Sequence, residues 1–238
     1  MCLVLPERYV FQNIPAHGKR LPLAVGSFDI ESIDRSHPAR ASIQQFIADR
    51  FRAQYAADLQ HFCDVLIGSR GADGRWVAAV GLSHLASKQA FLEQYLERSV
   101  EEEISLRQAG ASESFLVCRS EIVEFGNLVA TQPGASRALI LKLAPFLRAQ
   151  NIRWVTFTGP RSLFNSFIKF NYKPVVITTA DPARLRGNRN IWGSYYESSP
   201  KVMFEDVNAA YSNFERFPTS TGAETNPSQE GDAGISNA

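Results

Sequence analysis

The sequence predicts an α/β (α+β) protein, a single domain in which helices flank a mixed central β-sheet. Two observations carry this. Residues 121–178 read as strand, helix, strand, helix and strand in unbroken succession, and such alternation builds a sheet with helices laid on it through right-handed crossovers. The 238 residues are 45 % hydrophobic and 21 % charged, ordinary globular usage that supplies a core without disulfides or metal.

The elements follow in order. Pro- and Gly-rich residues open the chain, yet Val4, Leu5, Tyr9, Val10 and Phe11 suit a packed irregular arm. Leu23–Ile30 is the first strand. Ser36-His37-Pro38 supplies a cap and a first-turn proline, and Ile43, Phe46, Ile47, Phe51 and Tyr55 form one apolar stripe of a helix over 39–57. The runs 64–69 and 76–82 flank Gly71-Ala72-Asp73-Gly74, a hairpin turn. Residues 89–109 read as one helix or two short ones, with Glu101–Glu103 as a solvated charge run. Strand 121–130, helix 135–150 with Pro145 inside it, strand 153–158, helix 162–170 and strand 174–178 complete the sheet. An aromatic C-terminal flap lies beyond it, so the domain spans 1–217. Residues 218–238 hold one Ile and no aromatic side chain, which predicts a disordered tail.

Charge and cysteine content bound the function. With 25 Lys+Arg against 24 Asp+Glu there is no field to draw the protein onto nucleic acid. Cys2, Cys63 and Cys118 are an odd, widely spaced set and read as reduced thiols of a cytoplasmic protein, with no metal site expected. No leader pattern or membrane-spanning run occurs. GxSxG, Walker A and HExxH motifs are absent. His37, His61 and His84 are scattered singly and read as structural.

The most informative stretch is Glu124–Arg137, a strand that passes through a small loop into a helix. A helix start with Gly134 and Ser136 in its first turn suits a phosphate or pyrophosphate, because free N–H groups and the helix dipole converge there. Gly134 allows close approach, while Ser136 and Arg137 add a hydroxyl and a charge. Alternation along the strand puts Glu121 and Glu124 on opposite faces. Glu124, nearer the loop and three residues from Asn127, is the candidate general base if burial raises its pKa.

The element order over residues 23–180 resembles the GNAT acyltransferase fold. In that family an R/Q-x-x-G-x-G/A loop binds the pyrophosphate of acyl-CoA, and Thr131-Gln132-Pro133-Gly134-Ala135-Ser136 is similar to it, keeping the central Gly. Leu163–Tyr172 resembles the family's A-x-x-L-Y-E-K-x-G-F segment, with Phe167 at the position of the tyrosine acid. Glu124-Phe125-Gly126-Asn127-Leu128 is similar to the E-x-S-R-F strand of acyl-homoserine lactone synthases, with Asn127 in place of the arginine. Over residues 40–205 the chain looks most like the thermostable hemolysin family, through Phe91–Leu96, Val123–Leu128, Pro133–Arg137 and Trp192–Tyr196.

These resemblances imply acyl transfer from an acyl-CoA or acyl-carrier-protein thioester to an amine-type small molecule. Glu124 and Asn127 are then catalytic. Leu128, Ala130, Gln132, Gly134, Ala135, Ser136, Arg137 and Asn165 hold the donor, and Trp192, Tyr195 and Tyr196 line a substrate pocket, acyl or nucleotide in kind, or form a packed C-terminal flap. Two other readings follow from the same likeness: a membrane-active haemolysin, as the family name implies, and a GNAT-shaped binding module without chemistry.

Overall fold

The computed structural model describes residues 30–109, 115–132, 134–169 and 172–216. The expectations for the N-terminal arm, most of the first strand and the tail lie outside these residues. A seven-stranded sheet runs in the order β1-β2-β3-β4-β5-β7-β6. Its strands are β1 (Ile30–Ile33), β2 (Val65–Arg70), β3 (Trp76–His84), β4 (Ile122–Ala130), β5 (Trp154–Gly159), β6 (Val175–Thr179) and β7 (Lys201–Asp206). The α-helices are α1 (Arg40–Tyr55), α2 (Val100–Gln108), α3 (Ala135–Ala149), α4 (Arg161–Lys169) and α5 (Val207–Arg216). Among the described residues only β4 and β5 pair in parallel, and the other pairs are antiparallel.

Period-two alternation sorts the side chains onto two layers. On one face Val123, Phe125, Val155 and Phe157 pack against Leu139, Leu143 and Leu147 of α3 and Val207 of α5. On the other, Ile33, Leu66 and Ala79 meet Ile43, Ile47 and Phe51 of α1. Ile122, Trp154 and Phe204 on that second face meet Val100 and Ile104 of α2. Glu124, in step with Ile122, falls on this second face.

Two features of β4 create the site. Ala79 pairs with Val129 and Gly81 with Gly126, so Val80 alone opposes Asn127 and Leu128. This is a β-bulge, and Asn127 takes φ 51° within it. Pairing of β4 with β5 stops at Phe125↔Phe157, whereas β4 continues along β3 to Ala130 and β5 continues along β7 to Gly159. The parallel strands part there, and residues 126–130 have no strand partner on the β5 side.

Several expectations change. Helix α1 is capped at Ala39, with Pro38 outside it; the Asp34 carboxylate instead accepts the N–H and hydroxyl of Ser36. Residues 89–109 divide into a 3-10 helix, Phe91–Tyr95, and α2. The acidic run is not merely solvated. Glu103 is buried and pairs with Arg107, Glu101 pairs with Arg119, and Glu102 accepts the Ser99 N–H. Glu121 precedes β4 in a 3-10 turn. Cys118 is disulfide-bonded rather than a free thiol. The aromatic flap does not lie beyond the sheet but leads into β7, which enters between β5 and β6. Among the described residues no helix is long and apolar enough to cross a membrane.

Candidate active site

A cavity of about 640 Å³ occupies the place where β4 and β5 part. Phe125, Ile140, Phe157 and Phe167 line it from one face of the sheet, and Glu124, Phe91, Tyr95 and Trp192 from the other. The opening therefore passes through the sheet.

Glu124 is 7 % exposed. Its Oε2 accepts the Phe91 N–H at 2.8 Å and its Oε1 the Leu92 N–H at 2.9 Å. Those donors are the free first N–H groups of the 3-10 helix. Burial raises the Glu124 carboxyl to about 7, against the lowering effect of the two N–H groups. Such a carboxyl can take up or release a proton near neutral pH.

A second carboxylate fixes the helix that grips the first. Glu93 accepts the N–H groups of Ala90 and Val100 and pairs with Arg119, whose guanidinium also holds Glu101 and the Lys88 carbonyl. Burial alone would raise Glu93; Arg119 and the two N–H groups outweigh it and keep the carboxyl below its ordinary value.

Asn127 lies on the cavity wall, but its amide is engaged by backbone. Its Oδ1 accepts the Cys63 N–H at 2.9 Å and its Nδ2 donates to the His61 carbonyl at 3.1 Å. Arg40 holds the Cys63 carbonyl at 2.7 Å. The Cys63 side chain fills a hollow over Gly81 and Gly126, where an added Cβ would lie 2.7 and 3.0 Å from its sulfur. Burial, then the charge of Glu124, pushes this thiol up to about 12. Asn127 thus ties β4 to the 61–63 segment.

Leu128, Ala130 and Ser136 line the cavity, whereas Gln132, Gly134, Ala135, Arg137 and Asn165 do not. Gly134 is exposed at φ 83°, with open space around the position of a Cβ. Thr131 is tied to the Val77 carbonyl by its N–H and its hydroxyl. Phe167 reaches the wall, stacked at 5.2 Å from Phe157 and 5.7 Å from Tyr172.

Trp192, Tyr195 and Tyr196 line the cavity on its second face. The flap closes on α1 because Gly193, at φ 51°, lets the chain lie flush on it; a Cβ there would sit 2.0 Å from the Tyr55 carbonyl oxygen. Ser194 donates to that oxygen and Asp58 to the Ile191 carbonyl. Arg184 joins the flap to the Tyr95 carbonyl and Glu97. Sequence reasoning missed Phe51, Tyr55, Cys63, Lys88, Phe91 and Tyr95 as lining residues. Phe51 and Tyr55 carry only the signal of a helix stripe, Cys63 that of a lone thiol, and Phe91 and Tyr95 that of a family string.

A mixed sheet that opens between its parallel pair, with a strand, loop and helix beyond the opening, defines a GNAT-like acyltransferase fold. The structure is similar to the acyl-homoserine lactone synthase LasI (TM-score 0.51, 10 % identity, covering 76 % of this chain and 90 % of that one). It is likewise similar to the CoA-dependent synthase BjaI, solved with SAM and isopentyl-CoA (TM-score 0.50, 13 % identity, 82 % and 91 % covered). A GNAT-family acetyltransferase from Staphylococcus aureus Mu50 also matches (TM-score 0.44, 8 % identity, 75 % and 99 % covered). At these identities the likeness concerns the fold alone. The chain belongs to the thermostable hemolysin family, whose profile matches residues 33–211. Comparison with curated proteins returns no match.

Proposed function

We propose that this protein transfers an acyl group from a thioester, acyl-CoA or acyl-carrier protein, to the amine of a small molecule. One observation carries the reading: Glu124 and the parting of β4 from β5 open onto the same cavity. The donor arm lies along residues 126–130 of β4, whose backbone on that side has no strand partner and is free to bond an amide-containing chain. Leu128, Ala130 and Ser136 then contact the arm, and Gln132, Gly134, Ala135 and Arg137 meet its polar end at the start of α3. Asn165, exposed on α4, belongs to the same donor side.

The acceptor nitrogen attacks the thioester carbonyl carbon, the C–S bond breaks, and the thiolate leaves with the electron pair. Glu124 takes the proton that the nitrogen loses. Phe167 has no proton to give the leaving group, and none is required, since a free thiol with a pKa near roughly 8.5 leaves readily as thiolate.

Calorimetric titration with acyl-CoA and with acyl-carrier protein, alongside thiol-release assays, tests this. Wild type binds one of the two donors, and Glu124→Gln lowers turnover by roughly 10²–10⁴ with donor affinity nearly unchanged. Failure to bind either thioester would falsify the assignment and put the binding-module reading in front.

A further inference from the structure

The cavity wall next to Glu124 is built of aromatic rings from three separate stretches of chain. Phe51 and Tyr55 come from α1, Phe91 from the 3-10 helix, and Trp192, Tyr195 and Tyr196 from the flap. They form one continuous set: Phe91 to Trp192 at 5.6 Å, Trp192 to Tyr195 at 5.6 Å, Tyr195 to Tyr55 at 5.2 Å and to Phe51 at 6.4 Å.

The phenol oxygens are largely engaged elsewhere. Tyr95 and Tyr196 bond each other, Tyr195 donates to the Thr158 carbonyl, and Tyr55 accepts from Gln54. The wall therefore presents ring surface more than hydroxyls. Its charge is equally one-sided. Among the described residues, Asp64, Lys88 and Glu124 are the Asp, Glu, Lys or Arg side chains on the cavity. Lys88 pairs with Asp64 and also acts on Glu124, and the three groups sum to one negative charge when Glu124 is ionised. An anionic ligand group finds no free partner there, while a cation is attracted by the carboxylate and by the negative ring faces.

We propose that the acceptor carries a second cationic group besides its reacting amine, and that this group sits in the aromatic box of Phe51, Tyr55, Phe91, Trp192, Tyr195 and Tyr196. The proposal rests on the transferase reading for the identity of the reacting end. There Glu124 receives the proton, so the reacting nitrogen is neutral as it attacks and gains little from ring faces. A ring-lined wall behind it serves a charge that persists. The acceptor class is accordingly a diamine.

The test is calorimetry without donor, using α,ω-diaminoalkanes of three to six carbons and the amino alcohols of matching length. Each pair differs in replacing one ammonium by a neutral hydroxyl of similar size. The best diamine should bind wild type roughly tenfold tighter than its amino alcohol, and Trp192→Leu should reduce that ratio to below about threefold. Trp192→Phe keeps a ring and should retain most of it. An unchanged melting temperature and unchanged thioester affinity in Trp192→Leu show that the fold and the donor half are intact. Should that variant unfold, Tyr196→Leu, at the half-exposed edge of the box, takes its place. Equal binding of diamine and amino alcohol by wild type overturns the proposal, as does a preference that survives loss of the ring. Thioester binding on the same samples reads the transferase assignment separately: its absence sinks that assignment, whereas loss of the diamine preference alone sinks only the cationic acceptor.

Discussion

Replacing Glu124 by Gln removes a buried base, and its effect on stability should reverse sign with pH. Burial raises the folded-state carboxyl from 4.5 to about 7. Below the unfolded value both states are protonated and nothing is lost. As pH rises, the unfolded chain ionises first, so wild type loses stability from about pH 4.5 and the loss levels off above about pH 7. Between pH 5 and pH 8 this amounts to roughly 2–3 kcal/mol, which the variant does not suffer. Against that gain, an amide offers one oxygen where the carboxylate offers two, so either the Phe91 or the Leu92 N–H is left facing an NH₂ group. An unsatisfied buried donor costs about 1–3 kcal/mol at any pH. The variant should melt at or below wild type at pH 5 and at or above it at pH 8, a swing of roughly 5–10 °C for a chain of this size. Differential scanning calorimetry at the two pH values reads it. The thiol-release rate gives a second reading: kcat/KM of wild type should rise with pH through about 7, and the residual rate of the variant should lack that limb. A melting difference that stays flat from pH 5 to pH 8 refutes the raised carboxyl.

Three further outcomes are expected. Arg119→Met leaves Glu93 and Glu101 without their shared cation and should destabilise by about 3 kcal/mol at neutral pH; because Glu93 is held below its ordinary value, that deficit shrinks as pH falls through the carboxylate range, which thermal melts at pH 4 and pH 7 would show. Glu205→Gln should stabilise by about 1–3 kcal/mol at pH 8 and less at pH 5, since burial raises this carboxyl to about 7 and its Oε2 has no hydrogen-bond partner; no gain at pH 8 would show that water reaches the group. Gly193→Ala drives a Cβ against the Tyr55 carbonyl and should cost more than about 2 kcal/mol or lift the flap, seen as a lower melting temperature with increased proteolysis between residues 184 and 198.

The sequence by itself determined the local elements and their order. Apolar spacing marked α1 and α3, Gly71–Gly74 marked the β2–β3 turn, and the strand–loop–helix at 122–149 was legible because each depends on neighbours a few residues away. It also singled out Glu124, Asn127 and the flap tyrosines as residue types with chemistry to offer. Their surroundings come from the fold. The strand Lys201–Asp206 carries no pattern that distinguishes a central position, yet register with residues 154–159 and 175–179 seats it between β5 and β6. The bulge turns the Asn127 amide toward residues 61 and 63, which no local pattern shows. The acidic run 101–103 became a set of ion pairs once Arg119 and Arg107 were brought beside it. Glu124 with its two N–H partners, the ring cluster and the opening between β4 and β5 each join residues tens of positions apart. Their burial and mutual distances are set by packing, and a carboxyl's proton affinity or a ring's exposed face depends on those distances rather than on the order of residues along the chain.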